Sequence, residues 1–361
     1  MEISKNDTKV LKGIAILLML LLHLFCRKDS DGMYTTFLSL DGVPLLYYLA
    51  LLGDACRPIY LFLSGYAFYI VINKQRDSIL GKNIRRILKL ACNYWIVLII
   101  FVSLGFLMGL TNEFPGSVSK FLLNFFMLSN SYNGAWWFIQ VYIILVLLSP
   151  FIVKFVSKFN PFVILGISGI IYLLSYVQRY KEIISFGDSE ILNMIFTSAL
   201  LLGTSQFSFL VGMIFAKNKI YSKIHSKFNS IKYKNIICTA GIVSLILFHS
   251  IVETAIIAPI NGILLVNFIL LMDKSALIEK GLTFLSEHST NIWLTHMFFY
   301  MTIFPNLTFA PNYPILIYIW LFILCIATSY VIKFIHNPIA KLIDNKFTVV
   351  TVNNRKVPGQ I

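Results

Sequence analysis

The chain has 361 residues, 58% of them hydrophobic and only 13% charged, with a mean hydropathy of +0.78. Soluble domains usually carry about 25% charged and about 45–50% apolar residues, so the composition excludes a soluble enzyme and indicates an all-α, polytopic integral membrane protein. The net charge of +14 reads as the Lys/Arg excess of cytoplasmic loops, and no nucleic-acid partner is expected.

Apolar runs of spanning length, about 17–25 residues, fall near 9–26, 58–73, 90–110, 136–153, 161–177, 194–216, 235–251, 254–272, 288–304 and 314–335. The first is expected to be retained, because Phe25-Cys26-Arg27-Lys28 makes a poor signal-peptidase or lipoprotein site. The segment Phe121 to Leu128 is too short to cross and reads as re-entrant or interfacial. About ten spans follow, with both termini cytoplasmic.

Charge supports that count. Ten spans place Lys5, Lys9 and Lys12, the loop 74–89 (Lys74, Arg76, Lys82, Arg85, Arg86, Lys89) and the loop 217–234 (Lys217, Lys219, Lys223, Lys227, Lys232, Lys234) inside. With Lys154, Lys158, Lys274, Lys280, Lys333, Lys341, Lys346, Arg355 and Lys356, 24 of the 30 Lys and Arg residues face inward. If 121–128 spanned, the lysines of 217–234 would face outward, against the positive-inside tendency. Acidic residues such as Asp29, Asp31, Asp54, Glu113 and Glu253 fall on the other side. A transmembrane domain over 1–343, a short cytoplasmic tail over 344–361 and a place in the cell membrane are expected, with no soluble domain and no internal repeat.

The candidate residues follow in chain order. His23 lies inside the first apolar run, and an ionisable group there is costly enough to mark a functional site. Lys12 stands eleven positions earlier. At about 100° per residue the two share a helix face, ~16 Å apart along the axis. A cation at the membrane edge and a base deeper in would suit a long ligand with a charged head. The plain alternatives are a helix-packing histidine and a lysine anchor. Ser64-Gly65, within Tyr60 to Tyr66, suggests a tight helix contact. Arg85, Arg86 and Lys89 are either membrane anchors or phosphate ligands. Trp136 and Trp137, with Tyr132, form an interfacial aromatic belt or a sugar-stacking platform. His249 and Glu253, four apart, are expected to pair with each other or with water. His296 falls mid-span and either supports the fold or contacts substrate. The five cysteines show no CxxC pairing, so neither a disulfide framework nor a metal site is expected, although Cys26 and Cys56 could form one bridge.

In order, these segments resemble the membrane-bound acyltransferase family 3. Its first span reads Arg-Gly-x-Ala, with ten residues between the arginine and a histidine, matched here by Lys12-Gly13-Ile14-Ala15 and His23. Its Phe-Phe-x-Leu-Ser-Gly-Phe resembles Tyr60 to Tyr66, and its Arg-x-x-Arg-Leu-x-Pro-x-Tyr-Trp resembles Arg86 to Trp95. Ala135-Trp136-Trp137-Phe138 and Asn291 to His296 resemble two later segments. Lys12 and Lys89 replace arginines and Cys92 a proline, and lysine lacks the planar fork of arginine.

The resemblance implies an O-acyltransferase that moves an acyl group, acetyl in the first instance, from acyl-CoA to a hydroxyl of a cell-surface or lipid-linked glycan. It implies His23 as the catalytic group and Lys12, Arg85, Arg86 and Lys89 as ligands of the CoA phosphates. His296, Trp137 and Ser64 become substrate or support residues. Acetyl-CoA is then a donor substrate rather than a resident cofactor, and no metal is required. A multi-span transporter or glycan flippase is the alternative, disfavoured by the motif order and by the lack of paired inverted repeats.

Overall fold

The computed structural model describes residues 2–30, 32–74 and 79–353, with side chains through 347. Asp31, Arg76, Arg355 and Lys356, and the end of the expected tail, lie outside the described residues. The protein is an all-α, polytopic membrane protein. Its helices are α1 (Lys5–Phe25), α2 (Leu45–Leu51), α3 (Cys56–Lys74), α4 (Ile79–Leu107), α5 (Val118–Phe125), α6 (Trp137–Lys158) and α7 (Pro161–Lys181). They continue with α8 (Glu190–Asn218), α9 (Ile220–Phe228), α10 (Lys234–Ile251), α11 (Ala258–Leu271), α12 (Ala276–Met297), α13 (Pro305–Phe309) and α14 (Pro314–Asn353). A 3-10 turn, Leu52–Ala55, joins α2 to α3, and a π turn, Phe298–Thr302, follows α12. A hairpin of two-residue strands, Ser39–Leu40 and Val43–Pro44, precedes α2.

Among the described residues, eight helical segments are long and apolar enough to cross a membrane: Lys5–Phe25, Leu45–Lys74, Ile79–Leu107, Gly134–Lys158, Pro161–Lys181, Glu190–Asn218, Lys234–Ile251 and Pro314–Phe347. The other two expected positions are also helical. One is the shorter apolar stretch Ala255–Leu271. The other is α12, which begins well before residue 288 and carries Glu279, Lys280, Glu287 and His288. The segment at 121–128 forms α5 and a turn, only eight helical residues, far below spanning length. Large side chains such as Phe162, Leu174 and Phe334 stand exposed, as hydrocarbon surroundings favour.

One expectation is corrected. Residues 79–89 are not loop: α4 starts at Ile79, so Arg85, Arg86 and Lys89 are helical. Lys82, Arg85, Arg86 and Lys89 recur at i, i+3, i+4 and i+7, which is a charged helix face extending the apolar span below its hydrophobic limit.

The chain forms two compact units. The first comprises Met1–Val71, Phe151–Thr290 and Pro311–Tyr318. Its helix α1 begins with a capping box, in which Ser4 Oγ accepts from the Asp7 amide and Asp7 Oδ2 accepts from the Ser4 amide. Small residues set its helix crossings. A Cβ at Gly65 would collide with the Phe209 carbonyl of α8, and one at Gly212 with the Phe62 carbonyl of α3. Each glycine thus meets the carbonyl three residues before the other, a reciprocal contact that lets the two backbones touch. Gly13 of α1 meets the Leu282 carbonyl of α12 in the same way.

The second unit comprises Ile72–Pro150, Asn291–Ala310 and Ile319–Ile361. Hydrogen bonds from aromatic side chains to backbone knit it together. The Tyr94 hydroxyl donates to the Asn124 carbonyl (2.6 Å) and Trp95 Nε1 to the Phe125 carbonyl (2.8 Å). These carbonyls end α5, and the Asn124 carbonyl also accepts the Met127 amide (2.8 Å), so α4 side chains and the following turn together cap that short helix.

Candidate active site

The site begins on α1. Lys12, Ile16, Met19 and His23 stand at i, i+4, i+7 and i+11 and form one stripe. Ile16 and Met19 are buried, whereas Lys12 and His23 at the stripe's ends are half-buried. The stripe therefore faces protein. Its position is fixed from several sides. The Tyr60 hydroxyl donates to the Lys12 carbonyl (3.2 Å), and the Tyr318 hydroxyl donates to the Leu17 carbonyl (2.8 Å). Gly53, in the turn before α3, lies against the Leu18 carbonyl and Leu22, one residue short of His23. Ser64 is half-buried on α3, beside the Gly65–Phe209 contact. Lys12, His23 and Ser64 thus belong to the first unit.

Arg85, Arg86, Lys89, Trp137 and His296 belong to the second unit. Arg85 Nε lies 2.5 Å from Asp344 Oδ1, and Lys89 Nζ pairs with the same oxygen. The Lys89 carbonyl accepts from His336 Nε2 (3.0 Å). Arg86 Nη1 reaches Asn83 Oδ1 (3.5 Å), and buried Asn83 donates to the Val146 carbonyl and Ser149 Oγ of α6.

The aromatic motif behaves differently from a simple interfacial belt. Trp136 and Tyr132 are buried. Trp136 Nε1 donates to the Leu294 carbonyl (3.0 Å), and Trp293 Nε1 donates to the Ala135 carbonyl (3.2 Å). Asn133 Nδ2 also donates to Leu294 (3.0 Å). The 135–138 and 291–296 segments are therefore bound to each other. The Tyr132 hydroxyl donates to the Pro115 carbonyl (2.5 Å), and burial pushes its phenol up to about 12. Trp137 is half-buried and packs edge-on against Phe138.

His296 is fully buried, and its Nδ1–H donates back to the Trp293 carbonyl (2.8 Å). Asn291, one turn earlier, receives the Asn93 amide at its Oδ1 (2.7 Å) and donates to Ser329 Oγ (2.9 Å). That buried bridge joins α4, α12 and α14. Sequence reading passed over Asn93, Asn291 and Ser329 because none ionises.

The sequence also misjudged a cluster in the first unit. His249 does not pair with Glu253. Helix α10 ends at Ile251, so the i, i+4 geometry is never completed. Glu253 instead takes hydrogen bonds from Lys28 (2.6 Å) and the Tyr47 hydroxyl (2.8 Å). These bonds hold its carboxyl below the usual carboxylate range, Lys28 contributing most. His249 Nε2 lies 3.3 Å from Asp54 Oδ2, and its Nδ1 lies 3.3 Å from Asn261 Nδ2. Asp54 sits inside the helical run Leu45–Lys74, so the burial argument that singles out His23 applies to it equally.

Cys26 and Cys56 are both free thiols. Among the described residues, no three His, Cys, Asp or Glu side chains stand together to hold a metal ion.

The family model described as an acyltransferase domain matches residues 7–334. No curated protein and no solved structure gives a significant match.

Proposed function

The chain belongs to that acyltransferase family, membrane-bound acyltransferase family 3, and on this premise we propose that it moves an acetyl group from acetyl-CoA to a hydroxyl of a cell-surface or lipid-linked glycan. The observation that carries the proposal is the α1 stripe, with Lys12 at one end, His23 at the other and buried apolar side chains between. The two ends are ~16 Å apart along the axis. CoA has the same polarity: phosphates at one end, a thioester at the other, and a flexible pantetheine arm between them. Lys12 meets phosphate and His23 meets the thioester. Within the second unit, Arg85, Arg86 and Lys89 are cations of the kind that bind CoA phosphates, for which guanidinium is well shaped. The phosphate then displaces Asp344 from Arg85 and Lys89.

In the reaction, neutral His23 takes the proton of the acceptor hydroxyl as its oxygen attacks the thioester carbonyl. The tetrahedral adduct collapses, the C–S bond breaks, and the CoA sulfur leaves with the proton that His23 carried. General-base help of this kind is typically worth about 10²–10⁴-fold. Trp137 and Ser64 serve the acceptor or its supports, and His296, bonded to its own helix, serves as support.

The test uses membranes containing the protein, supplied with radiolabelled acetyl-CoA. The proposal predicts alkali-labile label in the glycan fraction. Label that stays in acetyl-CoA, or appears only as free acetate, overturns it.

A further inference from the structure

Asp54, His249 and Asn261 form a connected chain in the first unit, and both of its ends are unfinished. His249 and Asn261 are fully buried, and Asp54 nearly so. Asn261 Nδ2 donates to His249 Nδ1, so Nε2 carries the imidazole proton and donates to Asp54 Oδ2. This ordering uses both ring nitrogens. It leaves Asp54 Oδ1 and Asn261 Oδ1 buried, each with no hydrogen-bond partner. A buried acceptor with no donor costs about 1–3 kcal/mol, and here two flank one histidine.

The polarity of the orphans defines their ligand. Both are acceptors, so the missing groups are donors, and an anion is excluded. Arg57 lies within electrostatic reach of Asp54 and already opposes its charge, so a second cation is not called for. Neutral donors remain, and sugar hydroxyls are donors of that kind. This hydrogen-bonded chain lies close to the His23 end of α1. Gly53, next to Asp54, touches α1 at Leu18 and Leu22, beside His23. Asp54 and Glu253 both lie within electrostatic reach of Cys26, three residues beyond His23.

Resting on the acyl-transfer reading above, we propose that Asp54 Oδ1 and Asn261 Oδ1 form a subsite that accepts hydrogen bonds from hydroxyls of the glycan acceptor. His249 acts as a positioning residue, holding the two acceptors in register. Acceptor binding at this end of α1 then leaves the Lys12 end to the acyl donor.

The test measures binding without chemistry. Purified full-length protein in detergent is titrated, with no acyl-CoA present, with a tritium-labelled envelope glycan extract of its host, alkali-treated to remove existing esters. The unaltered protein is expected to bind. Asp54→Asn keeps size but presents an amide N–H where an acceptor is needed, and Asn261→Ala removes the other acceptor. Each is expected to raise Kd about tenfold, the loss of one buried hydrogen bond. His249→Gln is expected to weaken binding as well, and all three are to retain the KM for acetyl-CoA. No binding by the unaltered protein, or unchanged Kd in both Asp54→Asn and Asn261→Ala, overturns the subsite. Binding that depends on Asp54 with no acetyl transfer by any form leaves the subsite standing and overturns the acyl-transfer reading instead.

Discussion

At the scale of single residues, charge pairs near the site are the most open to test. Arg85 and Lys89 share one carboxylate, Asp344, which competes with any phosphate they bind. Asp344→Asn is expected to lower the KM for acetyl-CoA about 2- to 5-fold, the range of a partly exposed ion pair. Steady-state kinetics on membranes measures this, and a raised KM would show that Asp344 aids donor binding. Glu253 gives a pH prediction. Lys28 and Tyr47 lower its folded pKa, so its contribution to stability is present above the unfolded carboxylate pKa, about 4.3. That contribution is lost as pH falls through the folded value. Melting temperature should therefore fall more steeply below about pH 4 in the unaltered protein than in Glu253→Gln. Parallel curves would show that the Glu253 bonds to Lys28 and Tyr47 add nothing to stability.

At the scale of elements, the reciprocal glycine contact carries a direct prediction. Gly65→Ala places a methyl group on the Phe209 carbonyl, and Gly212→Ala places one on Phe62. Each should cost about 1–3 kcal/mol, as overpacking does, and the double variant should cost less than the sum because the first has already parted α3 from α8. Thermal unfolding in detergent reads both. Trp136→Phe, which removes the hydrogen bond to Leu294, should cost about 1 kcal/mol and loosen the 291–296 segment. These contacts also indicate what a sequence reader can see. Gly65 was legible because a small residue in an apolar helix has few other uses. Asn93, Asn291 and Ser329 were not, because neutral polar residues give no burial penalty as plain as that of a charge. Trp136 looked interfacial because it sits at a span's edge, yet its indole is turned inward onto Leu294. Arg85, Arg86 and Lys89 looked like loop because hydropathy ends where their charges begin, although the helix does not.

At the scale of the whole molecule, composition alone was enough for an all-α membrane protein. Among the described residues, eight helical segments have spanning length and apolarity, and the two further positions are a short apolar helix and the more polar α12. Charge distribution predicts that the lysine-rich 217–234 stretch and both termini lie in the cytoplasm. A fluorescent protein fused at the C-terminus should be bright, and protease added to sealed outside-out vesicles should spare 217–234; cleavage there would contradict the orientation. Site chemistry was less legible than fold. The Lys12–His23 pairing could be read from helical periodicity within one segment. The Asp54–His249–Asn261 chain joins three segments far apart in sequence, and no spacing rule connects them.

The central claim is that His23 is the base in acyl transfer, and the most direct measurement compares purified protein with its His23→Gln variant, using radiolabelled acetyl-CoA and de-esterified host glycan. The variant is expected to lose at least ~10²-fold in ester formation, with acetyl-CoA binding and melting temperature retained. Ester formation by a folded His23→Gln protein at the unaltered rate would contradict it.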